Sequence, residues 1–190
     1  MRSVGITLHR VERWTGPASV AVGGLRLYVD TSRPAALDAY RRTAELSHSL
    51  GLAGDGYAFV ALARAEDEHA SLVAEGSFTI AGGRGPGVLV VPATQQVFLG
   101  TGSALTAFDR RSGRWKRTWV DQAEAGFWDW SEHADVVLMA AELELAAWTE
   151  DGRKLWSRFV EPPWSYTVEG PQIRLNIMGE VSLLSLRDGE

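Results

Sequence analysis

Two acidic residues, Glu142 and Glu144, have the type and spacing that could support chemistry. Residues two positions apart on a β-strand project from the same face, and Trp148 falls on that face too if the strand is regular. Paired carboxylates beside an aromatic ring occur in glycoside-acting enzymes and sugar-binding sites. His133 lies nearby in the sequence, and an acidic neighbour would raise the pKa of its imidazole. These four residues form one candidate site, for a carbohydrate or another small ligand.

The same residues also have a simpler interpretation. Neighbouring carboxylates such as Glu142 and Glu144 are common on any solvent-exposed sheet face, where Arg158 of an adjacent strand could pair with one of them. His133 lies in the segment SEHAD, which reads as a solvated loop between two strands. We therefore treat hydrolase or sugar-binding activity as the alternative function.

Several other chemistries are excluded by the sequence. It contains no cysteine, which rules out disulfides, thiolate metal ligands and cysteine nucleophiles. Its four histidines are far apart and form none of the closely spaced pairs typical of zinc sites. The glycine-rich segments GGRGPG (82–87) and GTGSAL (100–105) lack the spacing of a dinucleotide-binding loop, and each precedes a strand pattern. We therefore expect no metal, no cofactor and no catalytic residue.

A second candidate surface is aromatic. Five of the eight tryptophans lie between residues 126 and 166. In the segment GFWDW, strict alternation places Trp128 and Trp130 on one strand face and Phe127 with Asp129 on the other. The question is whether so dense an aromatic stretch forms a binding surface or a core.

The segment VEPPWSY favours a surface. Proline cannot donate a ladder hydrogen bond, so the preceding strand should end near Glu161. Rigid aromatic side chains beside such a connection provide contact area at little entropic cost. The predicted protein-binding surface consists of Trp128, Trp130, Glu161, Pro162, Pro163, Trp164 and Tyr166. The alternative is that most of these tryptophans pack between sheets, with Trp164 turned inwards.

The elements that must position these residues are short strands. From Val88 onward, apolar runs broken by turn residues predict eleven strands, at VLVVP, QVFLG, LTAFD, RWKRTWV, GFWDW, DVVLMAA, LELAAW, KLWSRFV, YTVEG, IRLNIM and VSLLSL. This many short strands in succession predict an antiparallel meander.

The N-terminal portion mixes both element types. SVAVGGLRLYVD (19–30) alternates as a strand, residues 33–50 predict one helix with Ser32 as its N-cap, and residues 57–65 and 71–80 predict two more strands. We expect one domain over residues 1–190. Its fold class is mainly β, with an N-terminal α+β portion (1–81) carrying one helix, and a meander of propeller-like blades over 88–190.

The meander repeats itself. LTAFDRRSGRWKRTWV (105–120) aligns with LAAWTEDGRKLWSRFV (145–160), which matches Leu105 with Leu145 and Gly113 with Gly152, and VSLLSLRDGE (181–190) begins a third copy. A turn glycine followed by a tryptophan-bearing strand resembles the repeats of quinoprotein-like β-propellers. The resemblance covers residues 88–190 and implies two blades and a partial third. It includes no catalytic motif, and an open sheet edge in such an array could mediate self-association.

Charge and hydropathy limit the kinds of partner that this chain can have. The formal net charge of −5 argues against a nucleic-acid surface, because binding to phosphates depends on lysine and arginine. The longest apolar run, residues 136–141, is far shorter than the roughly 20 residues of a membrane span. The N-terminal residues carry no secretory signal pattern, so we expect a cytoplasmic location. Together these features predict a noncatalytic protein-binding protein, similar to small bacterial accessory or toxin-immunity proteins.

Overall fold

The computed structural model describes residues 4–7, 19–80 and 82–190. Within these ranges the chain forms one short helix, α1 (Leu37–Thr43), and seventeen strands. In chain order the strands are β1 (Val4–Thr7), β2 (Ser19–Val22), β3 (Leu25–Asp30), β4 (Leu46–Leu52), β5 (Gly56–Arg64), β6 (Leu72–Phe78), β7 (Gly87–Val91), β8 (Gln96–Thr101), β9 (Ala104–Asp109), β10 (Lys116–Gln122), β11 (Phe127–His133), β12 (Val136–Ala141), β13 (Glu144–Thr149), β14 (Lys154–Phe159), β15 (Trp164–Glu169), β16 (Gln172–Ile177) and β17 (Glu180–Ser185).

The N-terminal sheet has five strands in the order β2-β3-β5-β6-β4. Its β5 and β6 are the two strands predicted on either side of the acidic loop, and they pair antiparallel. The segment 19–30 forms a hairpin instead of one strand, because Gly23 and Gly24 adopt positive φ and turn the chain between β2 and β3. Leu27 and Val29 of β3 are buried, as the alternating pattern predicted.

The predicted helix over residues 33–50 is wrong in its second half. Helix α1 ends at Thr43, and residues 46–52 form β4, which pairs in parallel with β6. His48 and Leu50 are half-buried whereas Ser49 between them is exposed, which is the two-residue period of a strand. Pairing with the backbone of β6 therefore overrides local helix propensity in this segment.

Ser32 does not cap the helix. Its backbone N–H and its hydroxyl both donate to Oδ1 of Asp30, each at 2.8 Å. The helix instead begins after Ala36, which makes no side-chain capping bond. Leu37 is buried against Phe59 of β5, and this contact holds α1 on the N-terminal sheet.

The eleven strands predicted from residue 88 onward are all present, in the predicted order. They form three antiparallel sheets: sheet 1 (β1-β7-β8-β9-β10), sheet 2 (β11-β12-β13-β14) and sheet 3 (β15-β16-β17). Sheet 2 is a complete four-stranded meander, sheet 1 gains β1 beside β7, and sheet 3 has three strands. The fold class is therefore confirmed: mainly β, with propeller-like blades and an N-terminal α+β portion.

Three hydrophobic cores lie between successive sheets. The N-terminal sheet packs on sheet 1, sheet 1 on sheet 2, and sheet 2 on sheet 3. Examples of buried side chains in these three interfaces are Leu62 and Phe108, then Phe98 and Trp148, then Leu138 and Leu175. Each inner sheet is thus apolar on both faces, which explains the continuous apolar runs of β8 and β12.

Candidate functional site: an aromatic column and an exposed diproline connection

Three aromatic rings and one guanidinium form a column, which we call the aromatic column. The guanidinium carbon of Arg84 lies 4.7 Å from the centre of the Trp128 ring. Trp128 stacks on Trp164 with ring centroids 5.2 Å apart, and Trp164 stacks on Tyr166 with centroids 6.1 Å apart. Trp128 thus has Arg84 and Trp164 as ring neighbours, and Trp164 has Trp128 and Tyr166.

Backbone hydrogen bonds hold the two tryptophans in place. Nε1 of Trp128 donates to the carbonyl oxygen of Gly82 at 2.8 Å, and Nε1 of Trp164 donates to that of Glu142 at 3.0 Å. Trp128 is near the start of β11 and Trp164 begins β15, so the column joins the first strands of sheets 2 and 3. Trp164 is half-buried. It is therefore neither fully exposed at the surface nor fully enclosed in a core, the two alternatives that the sequence left open.

The connection between β14 and β15 lies beside the column and is exposed. Glu161, Pro162 and Pro163 are all solvent-exposed, and the peptide bond between the two prolines is cis. Phe159, at the end of β14, is 59% exposed. Met178, in the turn between β16 and β17, is equally exposed, and its N–H donates to the carbonyl oxygen of Pro163 at 2.9 Å.

Sequence reasoning missed Phe159 and Met178. The alternation in KLWSRFV left the face of Phe159 undecided, and Met178 belongs to a turn that no motif identifies. Their exposure follows from position: Phe159 ends an edge strand, and Met178 adopts a positive φ of 53° in a tight turn. Together with the prolines they form the exposed connection surface, defined as Phe159, Glu161, Pro162, Pro163 and Met178.

Trp130 does not belong to this surface. It is 3% exposed and packs between sheets 1 and 2. A β-bulge between Phe127 and Asp129 breaks the strict alternation, so Phe127 and Trp130 point into the same core. The expected pairing of Trp128 with Trp130 on one face is therefore wrong.

The alternative ligand site is not assembled. Glu144 and Trp148 share a strand face as expected, but they are 2% and 1% exposed and lie between sheets 1 and 2. Glu142 precedes β13 and is half-buried. Nε2 of His133 is 3.1 Å from the hydroxyl of Ser131 on the same strand, and that hydroxyl is 2.9 Å from the hydroxyl of Tyr166 in sheet 3. The prediction of an accessible site at these four residues is therefore wrong.

Glu144 instead belongs to a polar network between sheets 1 and 2. Its carboxylate accepts the backbone N–H of Glu124 at 2.9 Å and the hydroxyl of Ser157. Nζ of Lys154 lies 3.7 Å from Glu144 and 2.9 Å from Asp121 on β10. Since these bonds satisfy the buried carboxylate, its role is structural.

Burial affects the pKa of His133 more than the neighbouring carboxylate of Glu132 does. Desolvation lowers the pKa of His133, and the opposing influence of Glu132 is smaller. The expectation of a raised pKa is therefore wrong. Burial likewise raises the pKa of Tyr166, whose hydroxyl is 2.9 Å from that of Ser131. The neutral forms of both side chains are favoured at the contact between sheets 2 and 3.

We predict that Glu150→Gln stabilises the fold at neutral pH by about 0.5 kcal/mol. Burial, a hydrogen bond with Glu132 and the charge of Glu132 raise the pKa of Glu150. A carboxyl with a raised folded-state pKa stabilises the fold in acid, and this contribution is lost as the pH rises through that pKa. Urea unfolding from pH 4 to 8 should show the gain of the variant growing with pH. Glu169→Gln, at an exposed position, is the control and should show no such trend.

The described ranges contain neither a metal cluster nor a membrane-spanning helix. No group of three or more histidine, aspartate or glutamate side chains there could hold a metal ion. None of the helical segments in those ranges has the length and apolar character to cross a membrane. A cleft of about 390 Å³ lies between the N-terminal sheet and sheet 1, where Arg64, Arg110 and Trp115 contribute to its lining. None of the residues singled out from the sequence lines this cleft.

No protein-family model matches this chain, and no curated protein matches it either. One similar solved structure is that of BamB from Moraxella catarrhalis, which is 12% identical and gives a TM-score of 0.34. The match covers 75% of this chain and 62% of the BamB chain, so this chain spans less than two thirds of that protein. The strand order and the registers are what define the fold class.

Proposed function

We propose that this chain is a noncatalytic, cytoplasmic protein-binding module. Its partner binds the exposed connection surface, and the aromatic column supports that surface from below. The exposure of Phe159 and Met178, at 59% each, beside two exposed prolines is the observation that carries the proposal. Large exposed apolar side chains grouped on a rigid base are typical of protein-interaction sites.

Several features support a protein partner over a small ligand. The connection surface consists of exposed side chains at a strand end and in a turn, whereas small molecules favour enclosed, concave sites. The N–H groups of both column tryptophans are engaged with backbone carbonyls, so neither is free to orient a ligand. The net charge of −5 makes a nucleic acid an unsuitable partner. An accessory or immunity role is the biological setting that we propose for such a module.

We expect photo-crosslinkers placed at residues 159, 162 and 178 to capture the same protein in the cells that produce this chain. A crosslinker at Val120, which is 57% exposed on β10, is the matched control and should not capture it. Phe159→Ser combined with Met178→Ser should lower capture from residue 162 about tenfold, since contacts of this kind contribute more than about 1 kcal/mol each. Equal capture from residue 120, or unchanged capture by the double variant, would refute the proposal. Thermal unfolding checks that the double variant is folded.

A further inference from the structure

The cleft between the N-terminal sheet and sheet 1 has the size of a small-molecule site. Its volume is about 390 Å³, and ligand pockets commonly measure about 300–1,000 Å³. The turn between β2 and β3 and the turn between β7 and β8 both contribute to its lining. A Cβ at Gly23 would lie 2.7 Å from Cβ of Pro92, so these two parts of the lining are packed directly against each other. The cleft shares no residue with the exposed connection surface.

Part of the lining is apolar and held in place. Val90 and Trp115 are buried in the core between the two sheets, and Leu25 is half-buried against the same core. The backbone N–H of Trp115 donates to Oε1 of Glu45 at 2.8 Å, and its Nε1 donates to the hydroxyl of Ser71 at 2.9 Å. Because these bonds and the packing fix the ring, a ligand would meet an apolar wall that needs no rearrangement.

The guanidinium of Arg110 lies beside this wall with unused hydrogen-bonding capacity. Its central carbon is 5.8 Å from the centre of the Trp115 ring. The backbone N–H of Arg110 donates to the carbonyl oxygen of Gln95 at 3.2 Å, which fixes the residue against another part of the lining. Nε of Arg110 is buried without a hydrogen-bond partner in the described part of the chain. Since an unpaired buried donor costs free energy, an acceptor bound at this guanidinium is favoured.

The charged side chains of the lining favour a ligand with a single negative charge. They are Arg64, Glu66 and Arg110, so one positive charge has no counterpart in the lining. Within residues 4–7, 19–80 and 82–190, none of these three side chains forms an ion pair. Guanidinium groups bind carboxylates through charge-assisted hydrogen bonds. A carboxylate therefore complements the lining, whereas a dianionic phosphate would place excess negative charge near Glu66.

We propose that this cleft binds a small organic carboxylate with an apolar body. The carboxylate accepts hydrogen bonds from the guanidinium of Arg110, and Arg64 adds a second positive charge. The apolar body lies against Leu25 and Trp115. Pockets of this kind combine a mostly apolar lining with a few polar groups that orient the ligand. The site is separate from the exposed connection surface, so the variants that test one proposal leave the other unaffected.

The first test uses cinnamate as the probe, because it joins one carboxylate to a flat apolar body. Titration of the full chain, followed by NMR, should show saturable binding. Cinnamamide, which is neutral, and acetate, which lacks the apolar body, should each bind at least about tenfold more weakly. Phenyl phosphate, a dianion, should also bind more weakly than cinnamate. Equal binding of cinnamamide, tighter binding of phenyl phosphate or an absence of saturation with cinnamate would each overturn the proposal.

Charge variants of the chain form the second test. Arg110→Met keeps an unbranched side chain without the guanidinium, so it should weaken cinnamate binding about tenfold and leave cinnamamide binding unchanged. Arg114→Met is the matched control, because Arg114 is an exposed residue of the same hairpin that does not line the cleft. Glu66→Gln removes a negative charge from the lining and should strengthen cinnamate binding about twofold. Equal weakening by both arginine variants, or weakening by Glu66→Gln, contradicts the proposal.

The position of the bound probe is the third test. Nuclear Overhauser effects between the cinnamate ring protons and the methyl groups of Leu25 are expected, because Leu25 is the half-buried leucine of the lining. Contacts of the probe with Phe159 or Met178 alone would show that it adsorbs to the exposed apolar side chains of the connection surface, and this result would overturn the proposal.

Discussion

Replacing Trp148 with alanine should lower the free energy of unfolding by about 3–5 kcal/mol. Trp148 is 1% exposed and lies in the core between sheets 1 and 2. It stacks on Trp119 with ring centroids 5.6 Å apart and meets the edge of Trp130 at 5.5 Å. The variant loses the buried area of a large ring and leaves a cavity that two rigid rings cannot fill, so little relaxation can offset the loss.

Urea unfolding followed by circular dichroism measures this loss. The control is Val120→Ala, at a position 57% exposed on β10, which should change the unfolding free energy by less than about 0.5 kcal/mol. Trp148→Phe should fall between the two variants because it keeps part of the buried ring. A loss below about 1 kcal/mol for Trp148→Ala would mean that sheets 1 and 2 are not packed through this residue.

The strand order from residue 88 onward could be predicted because each apolar run is bounded by turn residues. Gly102, Gly113 and Gly152, for example, all adopt positive φ between adjacent strands. The alignment of residues 105–120 with residues 145–160 also matches Phe108 with Trp148, and both side chains pack against the preceding sheet. Local patterns sufficed there because hairpins connect strands that are neighbours in the sequence.

Features that depend on distant contacts could not be predicted. The strand character of residues 46–52 arises from parallel pairing with β6, which lies more than twenty residues later. The burial of Trp130 depends on a bulge, and strict alternation cannot anticipate a bulge. The carboxylates of Glu142 and Glu144 suggested a catalytic pair. Whether a carboxylate faces solvent or a second sheet depends on how the sheets stack, and the spacing of two glutamates does not reveal this.

Gly152→Ala should destabilise the fold by about 3 kcal/mol, the second largest effect that we expect from a small substitution. Gly152 is buried with a φ of 89°, a conformation that costs an L-amino acid about 1–2 kcal/mol. A Cβ at this position would also lie 2.5 Å from Nε2 of Gln96 and 2.8 Å from Nε1 of Trp119. Both neighbours belong to sheet 1, so the clash would push apart the sheets that Trp148 joins.

Gly113→Ala separates the two causes. Gly113 occupies the equivalent turn of sheet 1 with a φ of 80°, but a Cβ there meets nothing within 4 Å. This variant should therefore lose only about 1 kcal/mol, the cost of the backbone conformation. The difference between the two variants then measures the steric cost of placing a Cβ against Gln96 and Trp119. Thermal and urea unfolding of both proteins give that difference. Equal losses would show that the turn glycine is required for its backbone conformation alone. A larger loss for Gly152→Ala would show that the turn also needs a glycine to pack against Gln96 and Trp119.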